Sequence, residues 1–264
     1  NQKDFDLSAF GTELDGTVLE EITLHDCATT LHNAAFYNCR KLKKLSVGTA
    51  ISGIGSDEFM NDSQLEHLII RGKDSEATGL PLILERIAEN ITVSFCPNSS
   101  SSPESIVFFP EYYEWLDEIS PAHIFSRSIH GEGFSMRKSF ENGILNYRKY
   151  DSCLENALTV ESPESLCKIA LNRLRWPSRL EDIFREKYEN VIKKYMGTAF
   201  TLAVKDQDFP MLQFICEHFS PDASALASAI DQCIEKEWGE GNAFLIEAKH
   251  KSFSKKTFDF DLDF

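Results

Sequence analysis

One stretch of this chain is written twice. Residues 35–47 read A-F-Y-N-C-R-K-L-K-K-L-S-V, and residues 58–70 read E-F-M-N-D-S-Q-L-E-H-L-I-I. Phe36/Phe59, Asn38/Asn61, Leu42/Leu65, Leu45/Leu68 and Val47/Ile70 are each 23 residues apart. A fixed period in the twenties constrains the fold severely. A unit that short cannot enclose its own apolar face and must bury it against the units on either side. The spacing predicts a short β-solenoid and points to a binding scaffold.

The period extends in both directions. Stepping back reaches Leu19, Ile22 and Leu24, while Ala9-Phe10 lies three residues too early, which predicts an insertion around Gly11–Gly16. Stepping forward from Leu68 and Ile70 reaches Ile91 and Val93, after a helix-like L-P-L-I-L-E-R-I-A. An atypical end unit is what caps an open core. Strands are expected near 20–24, 43–47, 66–70 and 91–95.

The pattern A-F-x-N-C-x-x-L-x-x-L-x-V, carried by Ala35, Phe36, Asn38, Cys39, Leu42, Leu45 and Val47, continues through Ile51, Ile54, Gly55 and Phe59. It resembles the BspA-type leucine-rich repeat family over about 7–95. The resemblance implies leucine-rich coils and a binding role, often at bacterial surfaces. It implies no catalytic residues and no cofactor.

Leu-x-x-Leu-x-Val/Ile points inward, so the residues between face outward. The outward set is Glu21, Thr23 and His25, then Lys44 and Ser46, then His67, Ile69 and Arg71, then Thr92 and Ser94. These form a mixed polar stripe, either the contact surface for a protein partner or a solvated sheet face. Asn38 and Asn61 are expected as buried amides bonding loop backbone between coils. Cys39 is expected as a small buried residue.

A net charge of −15 opposes binding to nucleic acid or anionic membranes. Locally, residues 166–195 hold eight Lys and Arg against four acidic residues. Such a run reads as a solvated helix face or a docking site for an acidic partner. The seven cysteines have neither C-x-x-C nor zinc-ligand spacing. An odd, unpaired set favours a cytoplasm, whereas the repeat family favours the cell surface or secretion. No signal peptide or membrane segment is visible, although a start at Asn1 leaves room for a leader or further repeats upstream.

The Ser/Pro-rich stretch 96–107 reads as a linker between a repeat domain, 1–95, and a helical domain, 108–264. The predicted fold class is α+β. Helices are expected at 110–119, 134–142, 148–159, 163–175, 178–195, 198–206, 208–219, 222–238 and 241–251, with Ser162 as N-cap before Pro163. In 178–195, Leu180, Ile183, Phe184, Tyr188, Val191, Ile192 and Tyr195 mark one buried face. L-A-V-K-D-Q-D-F-P-M-L-Q-F-I, in 198–219, resembles the helix pair of an ankyrin repeat, which implies stacked hairpins. The tail Phe258–Phe264 alternates apolar and acidic residues, which suits an edge strand, a groove or an ordered terminus.

No P-loop, G-x-G-x-x-G, G-x-S-x-G or H-E-x-x-H is present. The most suggestive local cluster is His123–Gly133, with two histidines, Arg127, Glu132 and two glycines. There His130 or Glu132 would serve as base and Arg127 as anion anchor; otherwise the cluster is a glycine turn. Tyr112, Tyr113 and Trp115 are read as packing between the domains. Two functions stay open. One is a non-enzymatic adaptor that binds another protein. The other is a hydrolase or transferase with its site near 123–133 and the repeats as a targeting module.

Overall fold

The computed structural model describes residues 4–5, 19–33, 35–37, 39–56, 59, 64–97, 102–119 and 124–257. Ala9–Gly16, Asn38, Asn61, the serines at 99–101, His123 and the tail 258–264 lie outside the described residues, and so do the expectations placed on them. The chain divides into two compact units, residues 1–161 with 176–184, and residues 162–175 with 185–264.

The first unit is α+β. Its strands are β1 (Asp4–Phe5), β2 (Glu21–Thr23), β3 (Thr30–Leu31), β4 (Lys44–Gly48), β5 (Gly53–Ile54) and β6 (His67–Arg71). After helix α1 (Leu80–Leu84) come β7 (Ile91–Phe95), β8 (Ser105–Phe109), β9 (Tyr113–Ile119) and β10 (Ile124–His130). Then follow α2 (Gly133–Arg137), β11 (Phe140–Glu141), β12 (Ile144–Leu145), α3 (Tyr147–Ser152) and α4 (Leu154–Val160). One sheet runs β2-β4-β6-β7-β8, parallel except for the antiparallel β8, and a second runs β1-β3-β5.

The period sets the register. Glu21 pairs with Lys44 and Lys44 with His67, while Thr30 pairs with Gly53, all 23 residues apart. Asp4 pairs with Thr30 at 26, three residues longer, as an insertion between them requires. The last step is also long: His67 pairs with Thr92 and Leu68 with Val93, at 25 rather than 23. Ile91 and Val93 therefore sit two places away from the positions counted forward. Between β6 and β7 the chain passes through α1, whose Leu80, Ile83 and Leu84 are buried.

Leu45, Leu68, Val93 and Val107 form one buried row of the large sheet, and Val47, Ile70 and Phe95 another. Phe36 and Phe59, one period apart, stack at 5.4 Å with planes 12° apart. Burying a side chain of this size stabilises by roughly 1.5–3 kcal/mol, so the repeat is the source of this core. Cys39 is buried as expected.

Two helix expectations fail in this unit. Where a helix is expected over 110–119, Tyr113–Ile119 forms strand β9, because Y-E-W-L-D-E-I supplies the aromatic and branched residues that suit a pleated ribbon. The helix expected over 134–142 stops at Arg137, and β11 and β12 follow as a hairpin. Its two-residue loop is Asn142-Gly143, with φ of 51° and 79°. That left-handed pair is the type I′ turn that Asn-Gly signals. The linker boundary also differs. Ser105–Phe109 is the antiparallel edge of the large sheet, and the division between units falls at Glu161/Ser162.

The second unit holds α5 (Pro163–Arg175), most of α6 (Asp182–Lys194), α7 (Met196–Lys205), α8 (Phe209–Phe219), α9 (Ala223–Glu235) and α10 (Gly239–Thr257). Ser162 caps α5, accepting from the Ser165 amide at 3.1 Å. Asp208 caps α8 through the Met211 amide at 2.9 Å, and Asp222 caps α9 through Ala225 at 2.7 Å. Tyr188, Val191 and Ile192 of α6 are buried, but Ile183 is exposed. Much of the basic run is paired: Lys168 with Glu164, Arg175 with Asp208 and Lys193 with Glu189, while Arg173 is fully buried.

Candidate functional site

The outer face of the large sheet carries the expected stripe in two rows. Glu21, Lys44, His67 and Thr92 are register neighbours, and so are Thr23, Ser46, Ile69 and Ser94. Glu21, Thr23, His25 and His67 are exposed; Lys44, Ile69, Arg71, Thr92 and Ser94 are half-buried. Ser46 is buried. Beyond β7 the rows reach Phe108 and Ile106 of β8, and Phe108 is buried, so the open polar surface stops at β7.

The stripe is internally paired. Lys44 Nζ lies 3.3 Å from Glu21 Oε1, and beside it Lys43 Nζ lies 3.0 Å from Glu20 Oε2. The His25 ring turns back on its own loop, its Nδ1 accepting from the Cys27 amide at 3.2 Å. Arg71 spans the strands. Its Nε donates to Asp26 Oδ1 at 2.8 Å, its Nη1 to Ser46 Oγ at 2.6 Å, and its Nη2 to the Leu24 carbonyl. Asp26 was not among the expected residues. The signal for it was Gly48, the register partner of Arg71. A Cβ there would stand 2.9 Å from Asp26 Cα, so only glycine lets the β2 loop come within reach.

Arg127, His130 and Glu132 do not converge. Arg127 and His130 are three residues apart on β10, which puts them on opposite faces of the ribbon. Arg127 is ion-paired with Glu114. The His130 ring stacks on Tyr113 at 4.8 Å, with its Nε2 3.3 Å from Ser128 Oγ. Glu132 is buried at the start of α2, its amide donating to Glu161 Oε1 at 2.6 Å and its carboxylate accepting from Asn156. Gly131, at φ 90°, turns the ribbon back into the unit. Tyr112 packs edge-on against Phe134 at 5.4 Å, within this unit, whereas Tyr113 and Trp115 are exposed.

The Glu161 carboxyl sits above its ordinary range, first because it is partly buried and then because Glu132 and Glu111 repel its charge, although the Glu132 amide offsets part of this. Burial pushes the Cys153 thiol up to about 11 and those of Cys167 and Cys216 up to about 12. A thiol held there is not a nucleophile near neutral pH.

A cleft of about 510 Å³ lies on the first unit, lined among others by Asn142, Tyr147, Arg148, Arg179 and Glu181. Two of its lining residues, Tyr147 and Arg179, bond a buried carboxylate. Asp74 Oδ2 lies 2.8 Å from the Tyr147 hydroxyl and also accepts from Ser178, while Oδ1 lies 3.1 Å from Arg179 Nη2. This network joins 178–179 to the first unit. Its charged groups face one another, and among the described residues no group of three or more His, Cys, Asp or Glu is placed to hold a metal.

Residues 12–78 match the family model of the BspA type leucine rich repeat region, in six copies. The matched segment is about a quarter of the chain and contains β2 to β6. It ends just before α1, where the 23-residue register also ends. No curated protein and no solved structure matches the chain.

Proposed function

We propose that this chain is a non-enzymatic interaction module, in which the leucine-rich segment is a short β-solenoid that binds a protein partner on its outer sheet face. The observation that supports it is the alignment of Glu21, Lys44, His67 and Thr92 in one row, with Thr23, Ser46, Ile69 and Ser94 in the next. Arg71 and Asp26 tie this surface together across β6, β4 and the loop after β2. The helices of the second unit are read as a companion scaffold of stacked hairpins. The net charge of −15 disfavours nucleic acid as the partner. Among the described residues no helix is long and apolar enough to cross a membrane.

The test is quantitative capture from the native organism with wild-type protein and a Lys44→Glu/His67→Glu variant of equal melting temperature. At least one protein held by the wild type is expected to be lost. An identical captured set defeats the reading.

A further inference from the structure

We propose that the β9–β10 ribbon is a dimerisation arm, which pairs edge to edge through β9 with the same strand of a second copy. The two strands form a sheet of their own, with order β10-β9 and no third strand among the described residues. Tyr113, Trp115 and Leu116 are 59%, 56% and 64% exposed, and Ser126 to His130 are exposed too. Register puts Tyr113, Trp115, Ser128 and His130 on one face and Glu114, Leu116, Arg127 and Ile129 on the other. Both faces are thus open. A lone two-stranded ribbon is marginal in water, and an open apolar edge is a template for another strand.

The charges on β9 leave a self-complementary register for a second copy of the same strand. A two-fold axis normal to the ribbon sets one residue opposite its own copy and pairs the others symmetrically about it. Centring on Glu114 or Asp117 would oppose identical carboxylates, and centring on Leu116 would set position 114 against Glu118. Like charges directly opposite are destabilising. Centring on Tyr113 would require residues 111 and 112, whose amides already donate to Asn90 and to the Ala88 carbonyl. Centring on Trp115 meets none of these conflicts. It sets indole beside indole, Glu114 beside Leu116, and the Asp117 carboxylate beside the Tyr113 phenol. Asp117 already holds its own indole, accepting from Trp115 Nε1 at 2.6 Å. The acidic residues that would block promiscuous pairing leave this one register open.

The contact is small, of the weak class below about 1,200 Å². Each copy carries −15, so added salt strengthens the dimer by screening the repulsion. Sedimentation velocity on the full chain, from about 1 to 200 μM, is expected to show a reversible monomer–dimer equilibrium that tightens with salt. Leu116→Glu and Trp115→Lys are expected to abolish it at unchanged melting temperature, because both side chains are exposed. Lys44→Glu/His67→Glu leaves it intact, so failure here and failure of the partner surface are distinguishable. In a Cys27→Ser background, Trp115→Cys is expected to oxidise to a disulfide dimer. Glu114→Cys and Leu116→Cys cross-link only when mixed. Monomer at every concentration, a dimer that survives Leu116→Glu, or self-cross-linking at 114 or 116 overturns the proposal.

Discussion

Arg71 and Asp26, 45 positions apart in the chain, are joined by two hydrogen bonds, with Nε and Nη2 at 2.8 and 2.5 Å from the same Oδ1. The guanidinium also holds Ser46 and the Leu24 carbonyl, so one side chain on β6 is bonded to β4 and to the loop after β2. The side chain of Asp26 is largely exposed and that of Arg71 is not. The two partners should therefore differ in their cost. Arg71→Ala is expected to lose about 2 kcal/mol, since it strips the hydroxyl of buried Ser46 and a carbonyl of a charged donor. Asp26→Ala is expected to lose about 1 kcal/mol or less, because water replaces it. Urea denaturation of both single variants and the double variant measures this, and equal losses would contradict the asymmetry.

The parallel pairing was legible because a repeat constrains register as well as composition. Leu45 above Leu68, and Lys44 beside His67, follow from counting 23 residues. The strand at 91–95 is where the period puts one, but its register is shifted by two because α1 lengthens the connection, and counting cannot see an inserted turn. Residues 110–119 were misread because E-Y-Y-E-W-L fits helical and strand periods alike over so short a run. Asn142-Gly143 is legible as a hairpin turn, yet the helix expected over 134–142 runs up to and includes its Asn142. The register rows that hold Lys44 and Ser46 follow from alternation, whereas the burial of Ser46 does not. Asp26 is signalled only through Gly48, and Arg137 by no local pattern, because the partner of Asp26 lies 45 positions away and three of the four carbonyls that hold Arg137 lie 27 to 50 positions away.

Arg137 is a buried cation whose hydrogen bonds run to main-chain carbonyls. It donates to the carbonyls of Ile87 at 2.9 Å, Glu89 at 2.6 Å, Pro110 at 2.6 Å and Gly133 at 3.0 Å. It also lies over the Tyr112 ring at 5.1 Å. Burial pulls its pKa down to about 10, which leaves it charged near neutral pH. Arg137→Met is expected to cost more than about 3 kcal/mol, because it orphans buried carbonyls. Arg137→Lys should recover little, since an ammonium has three donors and no planar fork. Thermal denaturation decides, and full rescue by lysine would show that charge alone suffices.

Asp74 is nearly fully buried and ties Tyr147, Ser178 and Arg179 together. Removing one partner of such a network leaves the others uncompensated, at about 3–5 kcal/mol. Asp74→Ala is thus expected to release residues 176–184 before the rest of the unit unfolds. Limited trypsin digestion should then cut after Arg179 much faster than in the wild type. Unchanged cleavage would mean that other contacts hold the segment.

Glu161 makes stability depend on pH with an unusual sign for a carboxylate. Its folded-state pKa is raised, by burial first and by Glu132 as well, so the folded chain binds this proton more tightly than the unfolded chain. Where the folded state binds more protons, stability falls as pH rises. The window opens at the ordinary glutamate value and closes at the raised one, and above it the full penalty remains. Glu161→Gln removes the charge yet keeps an oxygen to accept the 2.6 Å bond from the Glu132 amide. The variant is therefore expected to match the wild type in acid and to melt at a higher temperature near neutral pH. Melting curves of both proteins from about pH 3.5 to 8 test it. A variant that is less stable at neutral pH would show that the Glu161 charge itself is needed to hold the start of α2.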